Sequence, residues 1–411
     1  MTFLKKLDDP ASLQEASPEQ VGLSATRLGR IADAMKREID AKRIPGGVLA
    51  IARRGKLAYC EAFGSRDAEG KVPMTTDAVF SIASMTKAMT SVAALQLLEE
   101  GRINLADPVG NYLPELANMV IADPSGGSTL VTKPAGRGPT IQDLLRHTSG
   151  MTYRDRGSTP AHKLYPGSSI SAAVKMSKAE YLAAMAKAPL LFAPGSDWEY
   201  GFSTDVLGLV VEAVTGETMG ETLAKRICGP LGMASTGFEL TDATRPRYAR
   251  AFEKDVLSGA PQVIHHATDA KTQWQSGGGG GVSNALDYLK FAETLRRGGR
   301  LGDVQILGRN TVALMTADHL PERIENRIAD SMDPSSAGYG FGLGVAVRRQ
   351  AGIAAMAGSK GDYYWSGVYG TYFWVDPSEH LACVWMCASP GMIRLRYRPM
   401  IRALVYQAVD D

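Results

Sequence analysis

Apolar and polar positions follow two different periods along this chain, and the period changes where the character of the chain changes. Behind Ser24, a side chain suited to capping a helix, Leu28, Ile31, Met35 and Ile39 recur at helical spacing. Pro45-Gly46-Gly47 stops that helix, and Val48 to Ala52 and Leu57 to Phe63 then read as two strands joined through Arg53-Arg54-Gly55-Lys56, a hairpin signal. From Ser84 to Glu100 the pattern is helical again, with Val92, Leu95 and Leu98 on one face and Gly101 as the stop. To about residue 330 the chain is mostly helix-like pieces between Gly/Pro/Ser loops. One runs from Thr140, with Asp143 three residues on, to His147, and another from Ser283 to Arg297.

The last quarter changes period. Gly342 to Arg348, Val368 to Val375 and Leu381 to Cys387 are rich in Val, Tyr, Phe and Trp, and Asp376-Pro377 marks a turn between the last two. Ile401, Leu404, Val405 and Ala408 close the chain as an amphipathic helix. Strands at both ends with helices between predict an α+β fold: an antiparallel sheet drawn from both terminal segments and flanked by helices, with a helical domain inserted in the middle. The expected division is residues 1–83 and 335–411 for the sheet domain and 84–334 for the helical insert, with the site at their boundary.

Composition narrows the function classes. The 411 residues hold 45 basic and 43 acidic side chains, 45% hydrophobic residues and 44 glycines. That is a folded chain rather than a disordered one, and a net charge of +2 offers no electrostatic case for nucleic acid. No stretch approaches the ~18 apolar residues that span a bilayer, and no apolar run follows the N-terminal lysines, so a cytoplasmic, membrane-free protein is expected. Cys60, Cys228, Cys383 and Cys387 are too scattered for a disulfide scaffold and read as small buried hydrophobes. No histidine spacing suggests a metal, and no cofactor is expected.

Three constellations could carry chemistry. Ser84-Met85-Thr86-Lys87 is the only S-x-x-K in the chain; residues three apart at a helix start share a face, so Lys87 can reach the Ser84 hydroxyl. Alone this is a weak signal, because about one such spacing is expected by chance, with Ser84 as a helix cap and Lys87 solvated. Tyr200, within Trp198 to Ser203, follows Pro194-Gly195 and could point a phenol into a cleft. Tyr364 to Gly370 reads as the opening of a strand, where a backbone N–H beside glycine could serve as an oxyanion donor. The run Gly277 to Gly281 reads as a flexible turn, and His147 as a helix-end side chain hydrogen-bonded locally. There is no G-x-S-x-G elbow.

Taken in order, these segments resemble the serine β-lactamase and penicillin-binding-protein superfamily, within it the class C branch, and there the family VIII carboxylesterases. The resemblance spans roughly residues 20 to 405. It is carried by Phe80 to Lys87, Ile141 to Met151, Pro194-Gly195 ahead of Tyr200, and Gly278 to Ser283. It implies a β-lactamase/transpeptidase-like fold, Ser84 as nucleophile, Lys87 and Tyr200 as a shared general base, and the N–H groups of Ser84 and Val368 as the oxyanion hole. Trp365, Ser366 and Gly367 replace the family's K-T-G, and Phe202 stands at the Asn of Y-x-N. These departures lead us to expect Trp365, Phe202, Tyr364 and Tyr369 to line an apolar cleft, with Ser366 and Gly367 binding substrate. A cation elsewhere, for instance Lys360, would then have to meet any substrate carboxylate. The expected partner is a small ester; an amide-directed sibling, an acyltransferase and a penicillin-sensor-like module are the alternatives.

Overall fold

The computed structural model describes residues 11–268, 270–322, 324, 329 and 333–411. Its strands are β1 (Gly46–Arg53), β2 (Lys56–Gly64), β3 (Val79–Ala83), β4 (Val120–Ala122), β5 (Thr132–Pro134), β6 (Gly281–Asn284), β7 (Arg300–Leu301), β8 (Val304–Gln305), β9 (Tyr339–Phe341), β10 (Ala346–Arg348), β11 (Tyr363–Ser366), β12 (Tyr372–Asp376) and β13 (Leu381–Cys387). Seven of them form one sheet in the order β2-β1-β13-β12-β11-β10-β9, every pair antiparallel. Strand β1, from the N-terminal segment, lies against β13, from the C-terminal one, with Leu49 opposite Trp385. The sheet is therefore drawn from both terminal segments.

The helices are α1 (Ala25–Asp40), α2 (Thr86–Glu99), α3 (Ile141–Leu145), α4 (Ser169–Lys175), α5 (Lys178–Lys187), α6 (Ser203–Thr215), α7 (Met219–Leu223), α8 (Ala285–Arg296), α9 (Arg309–Met315) and α10 (Arg394–Tyr406). Ser24 caps α1 by accepting from the Arg27 N–H, and Thr140 and Asp143 form a reciprocal capping box at α3. Both sheet faces are covered. Successive residues of a strand point to opposite faces, so Phe373, against Tyr288 of α8, and Trp374, against Arg402 of α10, mark the two sides. Being covered on both faces explains why every residue of β1, β12 and β13 is buried.

Three local expectations shift. Gly342 to Arg348 is not one strand: the Gly342 N–H donates to Val345 O at 2.8 Å, a reversal that follows β9 and leaves only Ala346 to Arg348 as β10. Tyr364 to Gly370 does not open a strand but ends β11 and turns into β12. Ser283 and Asn284 belong to β6, paired with β3, so that helix starts at Ala285. Helix α8 lies inside the 84–334 span by sequence, yet packs on β1, β12 and β13. Among the described residues no helix is long and apolar enough to cross a membrane.

Candidate active site

Ser84 sits on a tight turn between β3 and α2, closed by the Met85 N–H to Ile82 O and the Lys87 N–H to Ser84 O. Ala83, immediately before it, has φ +45°, a left-handed conformation that a side chain with Cβ adopts at a cost of order 1–2 kcal/mol. Such strain tends to sit where a side chain must be aimed. Ser84 is not the cap of α2; that position falls to Met85, which makes no side-chain cap. Helix α2 is buried on nearly all sides, so Lys87, 1% exposed, is carried into the interior.

The three expected side chains converge. Lys87 Nζ donates to Ser84 Oγ at 3.3 Å, and the Tyr200 hydroxyl donates to the same Oγ at 2.8 Å. Lys87 Nζ also lies 4.7 Å from the Tyr200 ring centre. Its remaining donors reach the Tyr153 hydroxyl at 3.2 Å and Gly278 O at 2.5 Å. A buried ammonium-bearing side chain with three acceptors is fully partnered.

Ser84, Tyr153 and Tyr200 border a cavity of about 300 Å³ together with Ser366, Val368 and Tyr369. Gly367 brings that hairpin close: a Cβ there would lie 2.3 Å from Thr371 Oγ1 and 2.5 Å from Ile82 O. Val368 and Ser84 thus border the same cavity, and neither amide is taken up by a turn or loop hydrogen bond.

The cavity departs from the expected lining. Trp365, Tyr364 and Phe202 are buried and do not border it. Trp365 packs behind Tyr200, ring centres 5.4 Å apart, and Phe202 stands edge-on behind Tyr153 at 4.7 Å. The aromatic replacements brace the two phenols instead of meeting substrate. Gly367 acts through the close approach just described. Charge is also present: Asp155, Arg156, Arg394 and Arg398 line the cavity, whereas Lys360 is exposed on a turn and does not border it. Arg156 is paired with Glu199 at 2.6 Å and Arg398 with Asp333 at 2.8 Å.

His147 corrects a second expectation. Its ring is fully buried, neither nitrogen has a partner, and it packs against Trp198, Tyr200 and Phe341. Burial first, then the charges of Lys87 and Arg156, hold its pKa well below the usual imidazole value. The glycine run is a turn, but a buried one: Gly277 to Gly281 are enclosed, and the carbonyls of Gly277 and Gly278 bind Thr90 and Lys87. Asp205 and Ser169, which periodicity does not single out, lie just beneath. Asp205 sits in the first turn of α6, where an acid ordinarily faces water and the helix dipole. Here it is fully buried, and burial raises its pKa. Among the described residues no group of three or more His, Cys, Asp or Glu gathers as a metal site would require.

A family described as Beta-lactamase matches residues 31–406. The chain belongs to the Beta-lactamase family. A protein of Mycobacterium tuberculosis is 33% identical over 353 residues, spanning 84% of this chain and 86% of that one. Esterase EstB of Burkholderia gladioli is 31% identical over 86% of this chain and 87% of its own length. Among solved structures, EstCE1, described as a hydrolase with promiscuous acyltransferase activity, superposes with TM-score 0.76 and 30% identity, covering 93% of this chain and 99% of that one. These relatives place the chain in the serine β-lactamase and penicillin-binding-protein superfamily.

Proposed function

We propose that this member of the Beta-lactamase family is a serine carboxylesterase that hydrolyses short-chain or aromatic esters through an acyl-enzyme on Ser84. The observation that carries the reading is the convergence of Lys87 Nζ and the Tyr200 hydroxyl on Ser84 Oγ beside a cavity that Ser84 lines. Ser84 Oγ attacks the ester carbonyl while the Lys87–Tyr200 pair takes its proton. Negative charge then develops on the carbonyl oxygen, where the N–H groups of Ser84 and Val368 receive it. The alcohol leaves with the proton held by the pair, and water deacylates Ser84 by the same route. The similarity to EstB supports ester substrates. The description of EstCE1 favours a second reading, in which a bound alcohol replaces that water.

The test is one panel: p-nitrophenyl esters of graded chain length beside nitrocefin and a D-alanyl anilide. Short esters should give the highest kcat/KM, and Ser84→Ala should lower it about 10⁴-fold or more, because the oxyanion hole alone cannot replace a nucleophile. A phosphonate should leave one adduct, on Ser84. An adduct on another serine, or nitrocefin turned over as well as the best ester, would overturn the assignment.

A further inference from the structure

We infer that Tyr153, Ser169 and Asp205 form a buried proton relay that takes the proton from Lys87 and so supplies the neutral amine that acyl transfer needs. The inference rests on the acyl-transfer reading of Ser84 and concerns how its base is made ready. Four side chains from four segments form one continuous line. Lys87 Nζ donates to the Tyr153 hydroxyl at 3.2 Å, Tyr153 and Ser169 share a hydrogen bond of 2.7 Å, and Ser169 Oγ donates to Asp205 Oδ2 at 2.7 Å. Because Ser169 spends its single proton on Asp205, its oxygen must accept from Tyr153, whose oxygen in turn accepts from Lys87. Every donor therefore points the same way, from amine to carboxylate.

The transfer balances. An Nζ–H bond breaks as the proton passes to the Tyr153 oxygen; the Tyr153 proton passes to Ser169 Oγ and the Ser169 proton to Asp205 Oδ2. Lys87 ends as a neutral amine and Asp205 as a carboxylic acid, with no change in net charge and no other reactant. Burial suits the end state. Asp205 is fully buried, and desolvation favours its protonated form. The charge of Lys87, the 2.5 Å bond from Ser276 Oγ to the other Asp205 oxygen and the Gly278 amide favour the carboxylate of the starting state, so opposing influences act on the two ends of the relay. Asp205 lies outside the cavity lining, whereas Ser169 borders the cavity; in the relay both act on Ser84 through Lys87.

The relay has a kinetic signature. Where the proton is exchanged inside the protein, the ratio of the two forms does not depend on pH, so reactivity stays level while the pair keeps one mobile proton. Without the relay, the amine must release its proton to solvent, and the logarithm of the rate climbs one unit per pH unit. The other titratable and charged groups facing this line are Tyr200, His147 and Arg156 around Lys87, the last with Glu199, and Tyr181 beside Asp205.

The experiment measures the rate of Ser84 labelling by a fluorophosphonate from about pH 6 to 8, a readout independent of ester specificity. Wild type should be nearly level across this range. Asp205→Asn, Tyr153→Phe and Ser169→Ala should each slow labelling about tenfold or more at pH 7 and rise with unit slope, recovering toward wild type at alkaline pH. If Asp205→Asn does not fold, the other two variants cut the same line and carry the same expectation. Variants slowed equally at every pH, or a wild type that itself rises with unit slope, would overturn the relay. No labelling of Ser84 in wild type would remove the acyl-transfer reading and the relay with it.

Discussion

Two side chains decide the chemistry at the residue scale. Lys87 and Tyr200 both bond Ser84 Oγ, so they act on one proton rather than two. Lys87→Ala and Tyr200→Phe should each lower kcat severely, and the double variant should lose little more than the worse single one. Full additivity in that cycle would assign them separate proton paths. A third residue concerns selectivity. Arg394 borders the cavity, uses its Nη1 on the carbonyls of Pro390 and Gly391 and on the Met392 sulfur, and has no ion-pair partner among the described residues. Burial and the charge of Arg398 push its pKa down to about 10, which still leaves it cationic at neutral pH. A substrate carboxylate would complete it. Hydrogen bonds to charged groups are worth about 1.5–3 kcal/mol, so Arg394→Ala should raise KM for a p-nitrophenyl hemisuccinate ester about 10-fold or more. The neutral butyrate should be unaffected. Equal effects on both esters would deny Arg394 this role.

At the scale of elements, the site is a meeting of three backbone turns: the strained one ahead of α2, the β11–β12 hairpin, and the glycine run before β6. Gly278 shows why that run must be glycine. A Cβ there would lie 2.2 Å from Asp205 Oδ2, and moving the loop would withdraw the carbonyl that Lys87 holds. Overpacking of this kind costs about 1–3 kcal/mol, so Gly278→Ala should lower the urea midpoint and reduce kcat in the protein that remains folded. Gly29, exposed in α1 with no atom near the Cβ position, is the contrast. Gly29→Ala should stabilise by about 0.5–1 kcal/mol with kcat unchanged. A midpoint unmoved by Gly278→Ala would mean that the loop yields freely.

The whole molecule responds to pH through its buried imidazoles. His147 titrates near 6.5 when unfolded but is held neutral well below that in the fold, and burial likewise pushes His266 down to about 4. Below pH 6.5 the unfolded chain binds protons that the native state refuses, so stability rises with pH in this window and is lost as pH falls. Each such group contributes a slope of up to about 1.4 kcal/mol per pH unit. Tm should therefore drop steadily from pH 7 to 5. His147→Asn, chosen because asparagine tolerates the φ of +59° at this position, should flatten the drop whatever its effect on Tm at pH 7. An unchanged slope would show that other groups set the acid limit.

What was legible in the sequence follows from how local each signal is. The β1–β2 hairpin, the α1 cap, the α3 capping box and the drawing of the sheet from both terminal segments rest on spacing and turn chemistry within a few residues. So does the proximity of Ser84 and Lys87, one helical turn apart. The reach of Tyr200 to Ser84 came through resemblance, since nothing local joins residues 116 positions apart. Tertiary structure alone decided the rest. Whether Trp365 and Phe202 face a cavity or brace a phenol depends on what packs behind them. Whether Asp205 is a solvated helix-end acid or a buried carboxylate at the end of a hydrogen-bonded line depends on Ser169 and Ser276, brought there by distant segments. Spacing along a chain reports which side chains can share a face; burial, and with it the protonation of a carboxylate, is set by neighbours that only folding supplies.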